Sequence, residues 1–75
     1  MKTDSKNSSI LIRINGENKL IPHQCSILEL LEDYKINKDR VVIELNETIL
    51  QKDNLENVFL KESDELEIVT FVGGG

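Results

Sequence analysis

Tryptophan is absent from this 75-residue chain, tyrosine occurs once, phenylalanine twice, and cysteine and proline once each. A single thiol, Cys25, has no partner for an internal disulfide, so packing alone must hold the fold, which suits a reducing compartment. Few aromatics leave little for stacking on bases. Nine Lys and Arg against fourteen Asp and Glu, a net charge of −5, oppose a phosphate backbone, which makes nucleic acid a poor candidate partner. His23 and Cys25 stand two apart beside Pro22, but one of each is too few to hold a metal. Behind the polar opening "MKTDSKNSS" there is no apolar run long enough for a signal peptide or a membrane span, so residues 1–8 read as a loose leader, the chain as cytoplasmic, and a membrane as no partner. A chain this short makes one domain with a modest core and no room for a large internal cleft. With no Ser-His-Asp set, phosphate-binding glycine loop or acid/base carboxylate pair, it does not read as an enzyme.

Glycine is scarce too, and unevenly placed: three of the four glycines stand together as Gly73, Gly74 and Gly75 at the end of "FVGGG". Glycine costs most to order and chain ends fray, so the run reads either as an inert end or as a tail whose terminal carboxylate is the working group. The acidic residues gather in the second half, at Asp53, Glu56, Glu62, Asp64, Glu65 and Glu67. They form either an ordinary solvated face or one that favours encounter with a basic protein surface.

Apolar alternation in "ILIRINGENKLI" predicts strands over residues 10–14 and 18–21, joined at Asn15-Gly16 by a type I′ turn. "SILE" reads as a capping box: Ser26 accepts from the amide of Glu29, and Glu29 reaches back to Ser26. Ile27, Leu30, Leu31 and Tyr34 then fall on one helical face. That capping role explains Glu29 better than general-base chemistry. The β-branched run "VVIEL" predicts a strand over 41–45, Asn46-Glu47 a turn, and 48–50 a short return. "KDNLENVF" reads as an irregular loop with a helical turn anchored by Leu55, Val58 and Phe59. "ELEIVTFV" is the final strand. Two strands, a helix, two strands and a last strand make an α+β domain over residues 9–72, a mixed sheet with the helix on one face. A meander wrapping the helix is the alternative. The long excursion before the last strand is the crossover that a parallel pairing needs, which places that strand beside the first and gives a β-grasp.

The NG hairpin, the capped "LLE" helix, "VVIELNETIL", the turn before "LEIVTFV" and the final Gly74-Gly75 together resemble the ThiS-type sulfur carriers of thiamin biosynthesis, ubiquitin-like β-grasp proteins, over roughly residues 10–75. The chain departs from that family at two turns. Asn46-Glu47-Thr48 stands where Asn-Gly-Glu is common, and Glu62-Ser63-Asp64 where Asp-Gly-Asp is common. The resemblance implies chemistry done on the protein. It binds no cofactor itself, and a ThiF-type activating enzyme uses ATP to adenylate the carboxylate of Gly75. Sulfur from a donor protein then gives a thiocarboxylate, and a ThiG-type thiazole synthase takes the sulfur. Gly73 and Gly74, lacking Cβ, would thread a narrow channel. Related carriers serving molybdopterin, cysteine or tRNA thiolation, and a ubiquitin-like modifier or binding module, are the alternatives.

Period-2 alternation also predicts which side chains face away from the helix. Leu11, Val42, Val69 and Phe71 are expected to form an apolar patch on the open sheet face, rimmed by Glu44 and Glu67. Such a patch reads as a partner-binding face, against the alternatives of scattered surface residues or a homodimer contact.

Overall fold

The computed structural model describes residues 8–70. Strands β1 (Ser9–Ile14) and β2 (Glu17–Pro22) form the predicted hairpin, with Ile14 opposite Glu17 and both loop residues, Asn15 and Gly16, at positive φ (52° and 85°). Positive φ at both central positions is the type I′ signature, whose twist matches that of the flanking strands. Helix α1 (Ile27–Asp33) begins at Ser26, and both halves of the capping box are made: the Glu29 N–H donates to Ser26 Oγ at 3.1 Å and the Ser26 N–H to Glu29 Oε1 at 3.0 Å. Ile27, Leu30 and Leu31 are buried along its inner face.

Tyr34, placed on that face by spacing alone, is 43% exposed. The helix stops one residue earlier, and Lys35 takes φ 59°, so that the N–H groups of Lys35 and Ile36 donate to Glu32 O and Leu31 O. This is the paired bonding of a Schellman cap. It turns the chain so that Ile36, in place of Tyr34, packs against the core.

After a 3-10 turn at Lys38–Arg40 come β3 (Val41–Leu45), β4 (Thr48–Ile49), a longer 3-10 stretch (Lys52–Asn57) and β5 (Glu65–Thr70). The sheet order is β2-β1-β5-β3-β4, with β5 parallel to β1 and antiparallel to β3. The last strand therefore lies in the centre beside the first, and the five-stranded mixed sheet with one main helix is the expected β-grasp. Ile12, Val41, Ile43 and Leu66 on the sheet's inner face meet Ile27, Leu30 and Leu31, and Leu55 and Leu60 close the side.

The loop anchors differ from expectation at one position. Leu55 is buried and Val58 half-buried, but Phe59 is 51% exposed and Leu60 is buried in its stead. The reason is a change of period. Residues 58–60 run extended and antiparallel to the entry of α1, with Ile27 N–H donating to Val58 O and Leu60 N–H to Cys25 O, both at 2.9 Å. Alternation in that geometry turns Val58 and Leu60 inward and Phe59 out. Ser8, counted with the leader, is also tied to the domain, since its carbonyl accepts from the His23 N–H at 3.1 Å. The remainder of the leader and the glycine tail lie outside the described residues.

Candidate functional site

The site is built around the C-terminal half of β5, the strand from which the glycine-bearing segment departs. Register with β3 pairs Glu44 with Glu67 and Val42 with Val69. Partners directly opposite in a ladder share a face, so these four side chains stand together on the open side of the sheet. Val69 is 57% exposed, and Val42 and Glu44 are half-buried. The next row toward the start of β5 holds Arg13 opposite Glu65, joined by an ion pair of 3.3 Å.

Leu11 does not join this group. Its carbonyl accepts from Ser63 N–H at 2.8 Å and its N–H donates to Glu62 Oε1 at 3.0 Å, which places it level with the turn before β5. From Ser63 to Val69 the strand advances about 20 Å at ~3.3 Å per residue. The expected single patch is therefore two patches, one at each end of the open face, separated by the charged rows of Arg13, Glu65, Glu67 and Glu44. The sheet's register causes the split: β1 and β5 are parallel but overlap only at Arg13 with Glu65 and Ile14 with Leu66. Phe71, Gly73, Gly74 and Gly75 lie outside the described residues.

Two further apolar side chains belong to this face and were missed in the sequence. Leu20, opposite Leu11, is 72% exposed, and Ile49, opposite Glu44, is 62% exposed. A usable signal was present. A two-residue turn fixes hairpin register, so reflection about Asn15-Gly16 pairs Leu11 with Leu20, and reflection about Asn46-Glu47 pairs Glu44 with Ile49.

Where β1 gives out, a side chain continues it. The Asn15 Oδ1 accepts from Ile68 N–H at 2.8 Å and its Nδ2 donates to Ile68 O at 3.2 Å, while the Asn15 N–H donates to Leu66 O at 2.9 Å. Across the sheet, Asn46 clamps the start of the same strand. Its Oδ1 accepts from Glu65 N–H, its Nδ2 donates to Asp64 Oδ1, and its N–H donates to Glu65 O. Asp64, itself buried, also accepts from Lys61 N–H. The two asparagines bracket β5 and fix where it emerges. Two shallow grooves of about 350 and 310 Å³ flank its last described residue, Thr70, one beside Arg40 and Val41, the other beside Asn15, Tyr34 and Ile68, with Ile36 in both.

Cys25 is buried, its Sγ 3.4 Å from Ser26 O. Burial pushes its thiol up from the ordinary 9.0, and the nearby carboxylates of Glu29 and Asp33 push it further. A thiol so placed stays protonated and is a weak nucleophile. His23 is exposed, and among the described residues no group of three or more His, Cys, Asp or Glu side chains is placed to hold a metal ion.

The family model described as "ThiS family" matches residues 12–75. The chain belongs to the ThiS family. It is 35% identical over 66 residues to the sulfur carrier protein ThiS of Bacillus subtilis, covering 87% of this chain and all of that one. It is 38% identical over 68 residues to the uncharacterized protein ycf40 of Pyropia yezoensis, covering 91% and 96%. A thiazole synthase of Paramagnetospirillum magneticum is 34% identical over 62 residues, 83% of this chain but 19% of that longer protein. Among solved structures, the crystal structure of the thiamine biosynthesis protein ThiS from Geobacter metallireducens superposes with a TM-score of 0.76 at 26% identity, covering 88% of this chain and all of that one. The ThiS family match runs through all three terminal glycines and both turns at which this chain lacks the family's usual glycine. The chain is thus a ThiS-type sulfur carrier in family and fold.

Proposed function

We propose that this protein carries sulfur as a thiocarboxylate on Gly75 and delivers it for thiazole formation in thiamin biosynthesis. A carboxylate is a poor electrophile. A ThiF-type enzyme would join it to AMP from ATP with release of pyrophosphate; a persulfide on a donor protein would then displace AMP to give an acyl disulfide, and a second thiol would cleave its S–S bond, leaving the thiocarboxylate and a disulfide on the thiol side. On this reading the chain itself would bind no nucleotide and would act as substrate at each step, not as catalyst. All of this would take place in the cytoplasm; among the described residues no helix is long and apolar enough to cross a membrane.

The observation that carries the reading is that the family match continues through Gly73, Gly74 and Gly75, the segment that a narrow adenylation channel would have to admit. Glycines present no Cβ to its walls. Burial of the raised-pKa thiol of Cys25 also supports placing the chemistry on the terminus, because it leaves Cys25 unsuited to relay sulfur. The thiazole branch is favoured over the molybdopterin, cysteine and tRNA branches by the thiazole synthase that contains a segment similar to this chain.

Intact-mass analysis of the protein from its native host tests this. The expected result is a fraction heavier by the exchange of one oxygen for sulfur, with the change mapped to the C-terminal peptide. An unmodified terminus in cells actively making thiazole would refute the carrier role.

A further inference from the structure

Of the chain's asparagines, Asn15 alone is followed by glycine. Both residues of that pair are exposed, and the space around Gly16 is open: a Cβ built there would meet nothing within 4 Å beyond its chain neighbours. A glycine in that position leaves its amide nitrogen unhindered, so the nitrogen can attack Cγ of the asparagine side chain before it. The attack requires the Asn15 amide to lie over the peptide bond that follows it. In the folded chain the amide is held elsewhere, with Oδ1 accepting from Ile68 N–H at 2.8 Å and Nδ2 donating to Ile68 O at 3.2 Å. One side chain thus combines the amide most open to attack with the bonds that carry the hold on β5 past Ile14 and Leu66, the last backbone pair of β1 with β5.

We propose that Asn15 is a site of spontaneous deamidation, restrained in the folded chain by its bonds to Ile68, and that conversion releases the second half of β5 from the side of β1. The Gly16 nitrogen forms a bond to Asn15 Cγ and gives up its proton, the Cγ–Nδ2 bond breaks, and Nδ2 leaves as ammonia. Water then opens the resulting five-membered succinimide at one of its two carbonyls, leaving aspartate or isoaspartate at position 15. No oxidant or reductant takes part. Either product undoes the clamp. Aspartate still offers an acceptor to Ile68 N–H, but it sets a second, charged oxygen against Ile68 O where Nδ2 had donated, and two acceptors at that distance repel. Isoaspartate lengthens the main chain by one carbon inside a two-residue turn whose length fixes the hairpin register. In both cases β5 keeps its pairing with β3 and loses its bonds to the Asn15 side chain, so the strand that leads toward the glycine segment loosens. This holds whatever the C-terminus carries.

Peptide mapping of the full chain by mass spectrometry tests the restraint, with one sample kept folded at mildly alkaline pH and a second unfolded in guanidinium chloride at the same pH. Aspartate and isoaspartate at position 15 are expected to accumulate about tenfold or more slowly in the folded sample, because two hydrogen bonds must open before the attack. Asn46 is the internal control. It is bonded to β5 as well, but the Glu47 side chain hinders the attacking nitrogen, so it is expected to stay intact in both samples over the same period. Equal rates at Asn15 in the two samples overturn the restraint, and conversion of Asn46 as fast as that of Asn15 overturns the choice of site. Asn15→Asp tests the release. Asp-Gly suits a type I′ turn as Asn-Gly does, so the variant keeps the turn and alters the clamp. Its Ile68 amide, followed by hydrogen exchange and NMR, is expected to exchange about tenfold faster relative to that of Leu30, whose bond to Ser26 O lies at the start of α1. Wild-type chain converted in guanidinium chloride, refolded and separated from the intact form, gives the same reading for isoaspartate. Protection of Ile68 that is undiminished in both converted forms overturns the release.

Discussion

Glu47 sits at φ 73° and Ser63 at φ 72°, at the two turns where the sequence departs from the family's usual glycine. Both are exposed. Glu47 is the second loop residue of a two-residue hairpin between Leu45 and Thr48, and Ser63 is the third residue of a turn closed by Asp64 N–H on Lys61 O at 3.0 Å. A side chain in the left-handed region costs roughly 1–2 kcal/mol, and the extra unfolded-state freedom of glycine recovers only about 0.4–1 kcal/mol of that difference. Glu47→Gly and Ser63→Gly are each expected to raise stability by about 0.5–1 kcal/mol, read as a higher urea midpoint at unchanged m. A lower midpoint in both would mean that the turns carry no strain. The departure from the family's turn pattern marked these positions in the sequence; the asparagine clamps on β5 were not legible, because nothing local tells which distant backbone an Asn side chain will reach. Cys25 gives a second test at this scale. Its folded value is raised above the ordinary 9.0, first by burial and then by Glu29 and Asp33. The unfolded chain therefore loses that proton first, and the associated stability is complete below about pH 9 and lost as pH rises toward the folded value. Melting temperature should fall more steeply between about pH 8 and pH 10 in wild type than in Cys25→Ala. Equal slopes would mean that the thiol is not desolvated.

Elements were the most legible level, because their signals are local. The capping box is a contact between residues three apart, and the NG turn fixes its own φ angles, so both follow from short windows of sequence. Helix α1 then depends on its inner face for stability, since an isolated seven-residue helix does not persist in water. Leu31 is fully buried there between the sheet and the segment ending at Leu60. Leu31→Ala is expected to cost about 2–5 kcal/mol, a large share of the stability of so small a domain. A melting temperature within a degree or so of wild type would contradict the packing of helix on sheet. Phe59 and Tyr34 mark where local periodicity stops predicting burial. Both were placed by extending a period one step past the point where the backbone changes geometry, at an extended bridge for Phe59 and at a left-handed cap for Tyr34.

At the scale of the whole molecule the adjacency of β1 and β5 could be read from the order of elements, but their offset could not. A crossover leaves parallel register to be set by tertiary contacts, here the Ser63–Leu11 bond at one end and the Asn15 clamp at the other. That offset decides which apolar residues a tail-engaging partner can cover. Val42 and Val69 lie beside the end of β5, next to the segment that leads to Gly75, whereas Leu11 and Leu20 lie at the far end of the open face, about 20 Å along the strands. On the proposed function, an activating enzyme that takes Gly75 into its nucleotide site is expected to contact the near end in preference to the far one. Val69→Asp would then bury a carboxylate without a counter-ion and beside Glu67, an arrangement that costs far more in a dry contact than at a wet surface. Leu20→Asp places the same charge where water remains. Both side chains are more than half exposed, so both variants are expected to fold and melt close to wild type. Binding to the ThiF-type enzyme, measured by titration calorimetry, should weaken roughly tenfold or more for Val69→Asp and little for Leu20→Asp. Equal weakening by the two would mean that the partner spans the whole face, and the division of that face into a docking end and a free end would then be wrong.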